Sequence, residues 1–225
     1  MSEKHDDDVH LEEVYAKSEE FFEKNKKQLG IGIGAVVVVI AAVFYYFNVY
    51  LPPLEIEAQN SIYKAQGYFE ADSFQLAMNG DNQGSLGFYD IVDQYGSTAA
   101  GNLAKYYLGV SLLRTGQYED AIAYFDAYDA KDQMTAAISL GATGDAYAEL
   151  QNTEKALDFY VKAANANDNE FTTPIYLLKA GTLAETLGDY NDALKYYKRI
   201  QSDYPLTQEG RSIKKYIARA EGFAK

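Results

Sequence analysis

One stretch constrains this chain more than any other: between Lys27 and Glu55 it carries no charged residue. The centre of the stretch reads Gly30-Ile31-Gly32-Ile33-Gly34-Ala35-Val36-Val37-Val38-Val39-Ile40-Ala41-Ala42-Val43. From Gly30 to Leu51 there are 22 residues. As a helix rising about 1.5 Å per residue they reach ~33 Å, enough for a hydrocarbon core of ~30 Å. Phe44, Tyr45, Tyr46, Phe47 and Tyr50 crowd the far end, where amphipathic rings favour the headgroup level. Pro52-Pro53 is then expected to stop or kink the helix.

The flanks set an orientation. Lys24, Lys26 and Lys27 precede the span, Glu55 and Glu57 follow it, and the next basic residue is Lys64. The positive-inside rule places the amino terminus in the cytoplasm and the rest of the chain across the membrane. A cleaved signal peptide needs a shorter apolar region and a small-residue cleavage site, so the segment reads as an uncleaved signal anchor. Residues 1–28 hold 9 acidic and 5 basic side chains. Leu11, Val14, Tyr15, Ser18, Phe21 and Phe22 form one mildly apolar helical stripe there, either a solvated juxtamembrane helix or a docking helix. The His5-Asp6-Asp7-Asp8-Val9-His10 run is read as acidic tail, with no metal and no cofactor assigned.

Composition removes other function classes. The net charge of −13 opposes nucleic-acid binding, which needs a surplus of Lys and Arg. The absence of cysteine excludes a disulfide framework, a Cys-ligated zinc and a thiol nucleophile. Both histidines lie in the tail, so the large domain has no imidazole base. The carboxylate pairs Glu119-Asp120 and Asp189-Asp192 fall at helix starts, where they complement the dipole. The reading is a non-enzymatic protein.

Internal self-similarity decides the fold after the span. Ala121 precedes Phe125 by four, Ala156 precedes Tyr160, and Ala193 precedes Tyr197. Twelve residues before each alanine stands a glycine: Gly109, Gly144 and Gly181. The turn signals Gly116-Gln117-Tyr118, Gln151-Asn152-Thr153 and Gly188-Asp189-Tyr190 lie between, the second with Gln and Thr in place of Gly and Tyr. The alanines are spaced by 35 and 37, and Gly87 stands 34 before Ala121 as an earlier copy. Such periods resemble the tetratricopeptide repeat, a helix–turn–helix unit. The small residues suit a close helix approach, and the aromatic one turn on is expected to fill the wedge against the next repeat. Ala156 is taken as the tightest contact and Ala163 as a softer position.

The expected fold is therefore all-α: a single transmembrane helix, then a tetratricopeptide-repeat α-solenoid with a C-terminal capping helix. Residues 1–28 form a charged tail, 29–52 the signal anchor, and 53–98 a degenerate first repeat with a loop insertion at Asn79–Ser85. Residues 99–204 form three repeats and 205–225 the cap, with Pro205 starting its helix.

The register turns certain first-helix residues toward an inner groove. They are Leu103, Tyr106 and Val110; Ile138, Gly141 and Asp145; and Ile175, Leu178 and Thr182. None is Lys, Asn or Arg, so the groove suits an apolar or helical partner segment rather than a terminal carboxylate. Packing against the cap or the first unit is the competing explanation for some of them. Charge is uneven: residues 55–194 carry 7 basic and 21 acidic groups, and 195–225 carry 8 and 3. A basic cap of this kind is self-complementary with the acidic part or faces another subunit, and lipid contact is a weaker option.

The layout resembles one family. The run Glu20-Phe21-Phe22-Glu23-Lys24-Asn25-Lys26-Lys27, a single Gly- and Val-rich span and then degenerate repeats look like the YfgM-type ancillary subunit of the SecYEG translocon. Asn79-Gly80-Asp81 and Asp93-Gln94-Tyr95-Gly96-Ser97-Thr98 look like variants common in Bacteroidetes. The resemblance implies a bacterial inner-membrane adaptor whose periplasmic domain meets a PpiD-like chaperone. Three other readings are open: an adaptor scaffold of another envelope machine, in division or cell-wall assembly; an enzyme-associated regulator or catalytic protein, which the lack of a polar constellation opposes; and an organelle import receptor, which the basic flank opposes.

The orientation is testable in spheroplasts. Added protease should digest or release the domain after the span and spare the amino-terminal tail; a protected domain would reverse the assignment.

Overall fold

The computed structural model describes the backbone of residues 3–224 and the side chains from Ser18 onward. His5, His10 and the Leu11 to Tyr15 part of the apolar stripe lie outside the described side chains. Among the described residues every element is helical. The chain divides into two compact units, Met1–Pro53 and Leu54–Lys225.

Helix α1 runs Glu3–Tyr45, a π turn covers Tyr46–Tyr50, and α2 runs Leu51–Glu70. Within Ser18–Glu70 lies a window of mean hydropathy 2.4, none of it buried, so this helix is long and apolar enough to cross a membrane. Pro52 and Pro53 do not stop it: they sit in the first turn of α2. Their missing N–H groups would leave two carbonyls of the preceding turn without donors, and their rings would crowd that turn. A π turn precedes them, in which the Leu51 N–H donates to the Tyr46 carbonyl five residues back.

The second unit repeats one turn four times. Asp72, Gly116, Gln151 and Gly188 take left-handed φ values of 54°, 80°, 58° and 82°. The next N–H then returns to a carbonyl five residues back: Ser73 to Tyr68, Gln117 to Leu112, Asn152 to Tyr147 and Asp189 to Ala184, each at 2.9 Å. Five residues past each turn stand Ala77, Ala121, Ala156 and Ala193, all fully buried. This register replaces the copy expected at Gly87. The first unit is built on Ala65, Asp72 and Ala77, with Ala65 in the glycine place.

The helices that result are α3 (Phe74–Asn79), α4 (Phe88–Tyr95), α5 (Ala99–Arg114), α6 (Tyr118–Ala127), α7 (Gln133–Glu149) and α8 (Thr153–Ala166). They continue as α9 (Thr173–Thr186), α10 (Tyr190–Asp203), α11 (Gln208–Ser212) and α12 (Lys214–Glu221). Pro205 lies in a turn, and Thr207 starts the cap instead by accepting from the Gly210 N–H at 3.1 Å.

The glycines explain the pairing within each repeat. A Cβ on Gly109 would lie 2.7 Å from the Phe125 ring, and one on Gly144 would lie 2.7 Å from the Tyr160 ring. Gly181 stands closer still to Tyr197. The aromatic thus packs onto the glycine of its own repeat and not, as its spacing suggests, into the wedge against the next. Ala163, expected to be softer than Ala156, is equally buried.

The insertion between α3 and α4 is organised by Asp81. Its carboxylate accepts from the Tyr68 hydroxyl at 2.6 Å, the Ser85 hydroxyl at 2.7 Å and the Gln83 and Ser85 N–H groups at 2.8 and 3.0 Å. These bonds, the Tyr68 hydroxyl foremost, hold the carboxyl well below the usual carboxylate range. Glu55 of α2 accepts from the Ala99 and Ala100 N–H groups at 2.6 and 3.1 Å, and Thr98 accepts from Gly101 at 2.9 Å. Three otherwise orphaned donors of α5 are satisfied in this way. The buried residues form two hydrophobic clusters, one from Ala58 to Phe125 and one from Ala137 to Ala220.

Two stability outcomes follow, both readable by urea titration of the full chain in detergent. Gly144→Ala should cost about 1–3 kcal/mol by overpacking. Combining it with Tyr160→Leu should cost less than the sum of the two single changes; simple additivity would refute the contact. Gln151→Gly should stabilise by up to about 1 kcal/mol, because a non-glycine side chain is strained at this φ, whereas Gln151→Ala should not stabilise.

Candidate partner-binding groove

The first helices of the three full repeats, α5, α7 and α9, share one face. Tyr106 and Val110 of α5 and Ile138 and Asp145 of α7 line a cavity of about 540 Å³ on it. Four of the seven residues expected to bind a partner are thereby brought together. Leu103 is half-buried against the first core cluster and Leu178 against the second. Ile175 is 41% exposed and lies outside the cavity. Gly141 does not line it, because the Tyr176 ring of the next repeat covers that position. Thr182 bonds back to the Leu178 carbonyl at 3.0 Å and borders a smaller depression near Glu185 and Arg219.

The register places a large residue differently at the two repeat junctions. Five residues before the Gly181 position stands Tyr176, which seats on Gly141. The matching residue of α7 is Ser139, and the matching partner on α5 is Tyr106. At this junction the large side chain comes from the earlier repeat. The Tyr106 ring rests near Tyr107, Phe125 and Tyr128, with centroids 5.7, 6.3 and 5.5 Å away.

Polar chemistry centres on Asp145. It accepts from the Tyr160 hydroxyl at 2.6 Å and pairs with Lys179 at 2.5 Å. The Lys179 ammonium also stands 5.2 Å from the Tyr160 ring centroid and 5.9 Å from that of Tyr176. Burial, then the bond to Asp145, pushes the Tyr160 phenol far above its ordinary range. Burial and the Asp145 charge push Tyr176 up to about 12, and burial raises Tyr106. These phenols are therefore neutral hydrogen-bonding groups near pH 7. Tyr118, which donates to Glu149 at 3.3 Å, and the exposed Arg114 complete the rim.

Sequence reasoning missed Arg114, Tyr118, Glu149, Tyr160, Tyr176 and Lys179. Arg114 and Lys179 belong to first helices but fall outside the three register positions taken as inward, so the groove is not free of cations as expected. The spacing of Tyr160 signals a packing aromatic and gives no sign of its hydroxyl reaching Asp145. No group of three or more His, Cys, Asp or Glu able to hold a metal occurs among the described residues.

Comparison with known proteins finds two family-model matches, both described as tetratricopeptide repeat: one over residues 88–134, the other over 176–207. Between them lies the repeat of α7 and α8, where Gln151 and Thr153 depart from the usual turn. No curated protein matches the chain.

Proposed function

We propose that this chain is a membrane-anchored, non-enzymatic adaptor that holds a segment of a protein partner in the groove between α5, α7 and α9. Tetratricopeptide repeats are protein-interaction scaffolds, and a long apolar helix precedes them. The observation that carries the reading is the cavity itself: aliphatic side chains from Val110 and Ile138 beside neutral phenols and an Asp145 centre. Such a lining accepts an apolar or helical segment and offers it a few fixed hydrogen bonds.

The specific role is that of an ancillary subunit of the Sec translocon at the bacterial inner membrane. The amino terminus would be cytoplasmic and the repeats periplasmic, meeting a PpiD-like chaperone. The run from Glu20 to Lys27, the span and the repeats after it support this by resemblance.

A photo-crosslinker at Ile138 in intact membranes, read by mass spectrometry, tests the role. Translocon and chaperone peptides are expected; peptides of a division or cell-wall complex would assign the scaffold role in that machine instead. Ile138 lines the cavity and belongs to neither core cluster. Ile138→Ser should therefore weaken partner capture about tenfold or more, as loss of a central apolar anchor does. Its thermal midpoint should change little, whereas Tyr106→Ala should lower both. Undiminished copurification by folded Ile138→Ser would overturn the groove.

A further inference from the structure

Away from the groove, charge is sorted along the second helices. α4 carries Asp90 and Asp93, α6 carries Glu119, Asp120 and Asp126, and neither has a basic residue. α8 is balanced, with Glu154 and Asp158 against Lys155 and Lys162. The balance then turns basic: α10 holds Lys195, Lys198 and Arg199 against Asp192 and Asp203, and α12 holds Lys214, Lys215 and Arg219 against Glu221.

Part of this positive charge is spent within the chain. Lys198 pairs with Glu221, Arg199 with Asp168 and Asp203, and Arg219 with Glu185. Among the described residues, Lys195, Arg211, Lys214 and Lys215 have no ion-pair partner, nor do the five acids of α4 and α6.

The acidic side of this gradient also holds a cleft. Between α6 and α7, and reached by Phe159 of α8, it has a volume of about 590 Å³. Ile122, Phe125, Leu140 and Tyr147 give it an apolar floor, and Glu119 and Asp126 lie on its border. It falls where one hydrophobic cluster ends and the next begins. The cap carries the complement of both features: lysines without an ion-pair partner at the start of α12, and, just past its end, Phe223, which stacks one face on Tyr190 at 5.2 Å and leaves the ring 60% exposed.

We propose that α12 of one copy of this chain docks in the α6–α7 cleft of a second copy. Lys214 and Lys215 meet the acids of α6, and the open face of Phe223 packs on the apolar floor. An anionic lipid surface would suit the lysines but not a cleft bordered by unpaired carboxylates, whereas a second copy satisfies both surfaces. The contact is heterologous, so each copy keeps one free cleft and one free cap, and assembly proceeds as a ring or an open row. It uses a surface separate from the α5–α7–α9 groove.

The chain has no cysteine, so single-cysteine variants map the contact directly. Full-length Ala123→Cys, on the cleft, and Ala218→Cys, on the exposed side of α12, mixed in detergent, should crosslink to each other at low salt and lose most of the product at high salt. A Glu70→Cys control should crosslink at least tenfold less. Glu119→Lys with Asp126→Lys should abolish association with a copy whose cap is native. Association should return with a copy carrying Lys214→Glu and Lys215→Glu. Phe223→Ser should weaken it about tenfold. Equal crosslinking of the control, or failure of the exchanged charges to restore association between folded copies, would overturn the proposal. So would a monomeric chain whose cap instead recruits it to phosphatidylglycerol vesicles. Association through the apolar span would be insensitive to every one of these charges, which separates it from the proposed contact.

Discussion

A ring seated on a glycine recurs in each full repeat: Phe125 on Gly109, Tyr160 on Gly144 and Tyr197 on Gly181. The absence of a Cβ lets the second helix of a repeat lie close to the first, and the buried alanine one turn before the ring keeps that approach narrow. Within a repeat, the first helix takes its position against the second from this contact. In the middle repeat the same ring also ends in a hydroxyl that reaches Asp145 on the groove. Tyr160 is therefore a packing residue and a groove residue at once, held in place by one contact.

Legibility followed from how local each signal was. The offset of twelve from glycine to alanine and of four from alanine to ring was readable, because both lie within one unbroken helix pair. The first unit was misaligned, since it replaces both glycines with residues that do the same work: Ala65 at the helix contact and Asp72 at the left-handed turn. An insertion after Asn79 then shifts the spacing, so that Gly87 falls by coincidence 34 residues before Ala121. Pro52 and Pro53 were misjudged for a related reason. The helix reaches them through a π turn, a device with no sequence signature. Gln151 shows the converse: the residue departs from the pattern while the backbone does not.

The groove was legible in its aliphatic part and not in its polar part. Val110, Ile138 and Asp145 follow from the helical period alone. Lys179 and Tyr176 enter from the next repeat, so their place depends on the stacking of repeats, which no single helix encodes. The Lys179–Asp145 pair is more than a third exposed on both sides and adds little to stability. Its effect is on shape: it holds a cation beside two phenol rings and fixes the polar floor of the groove.

Lining and packing are not separable everywhere on this face. Tyr106 belongs to the aromatic group around Phe125, and Leu178 to the second core cluster, so truncating either disturbs the scaffold as well as the surface. Ile138 stands in the cavity outside both clusters. That difference follows from the junction at which the two clusters end. There α7 offers Ala136, Ser139 and Thr143, small side chains that leave open space between α6 and α7. The same small helix borders the groove on its other side. A thin junction with a cavity on both faces has fewer apolar contacts to restrain it than the junction Tyr176 fills, so a segment bound on one face has the most to add there.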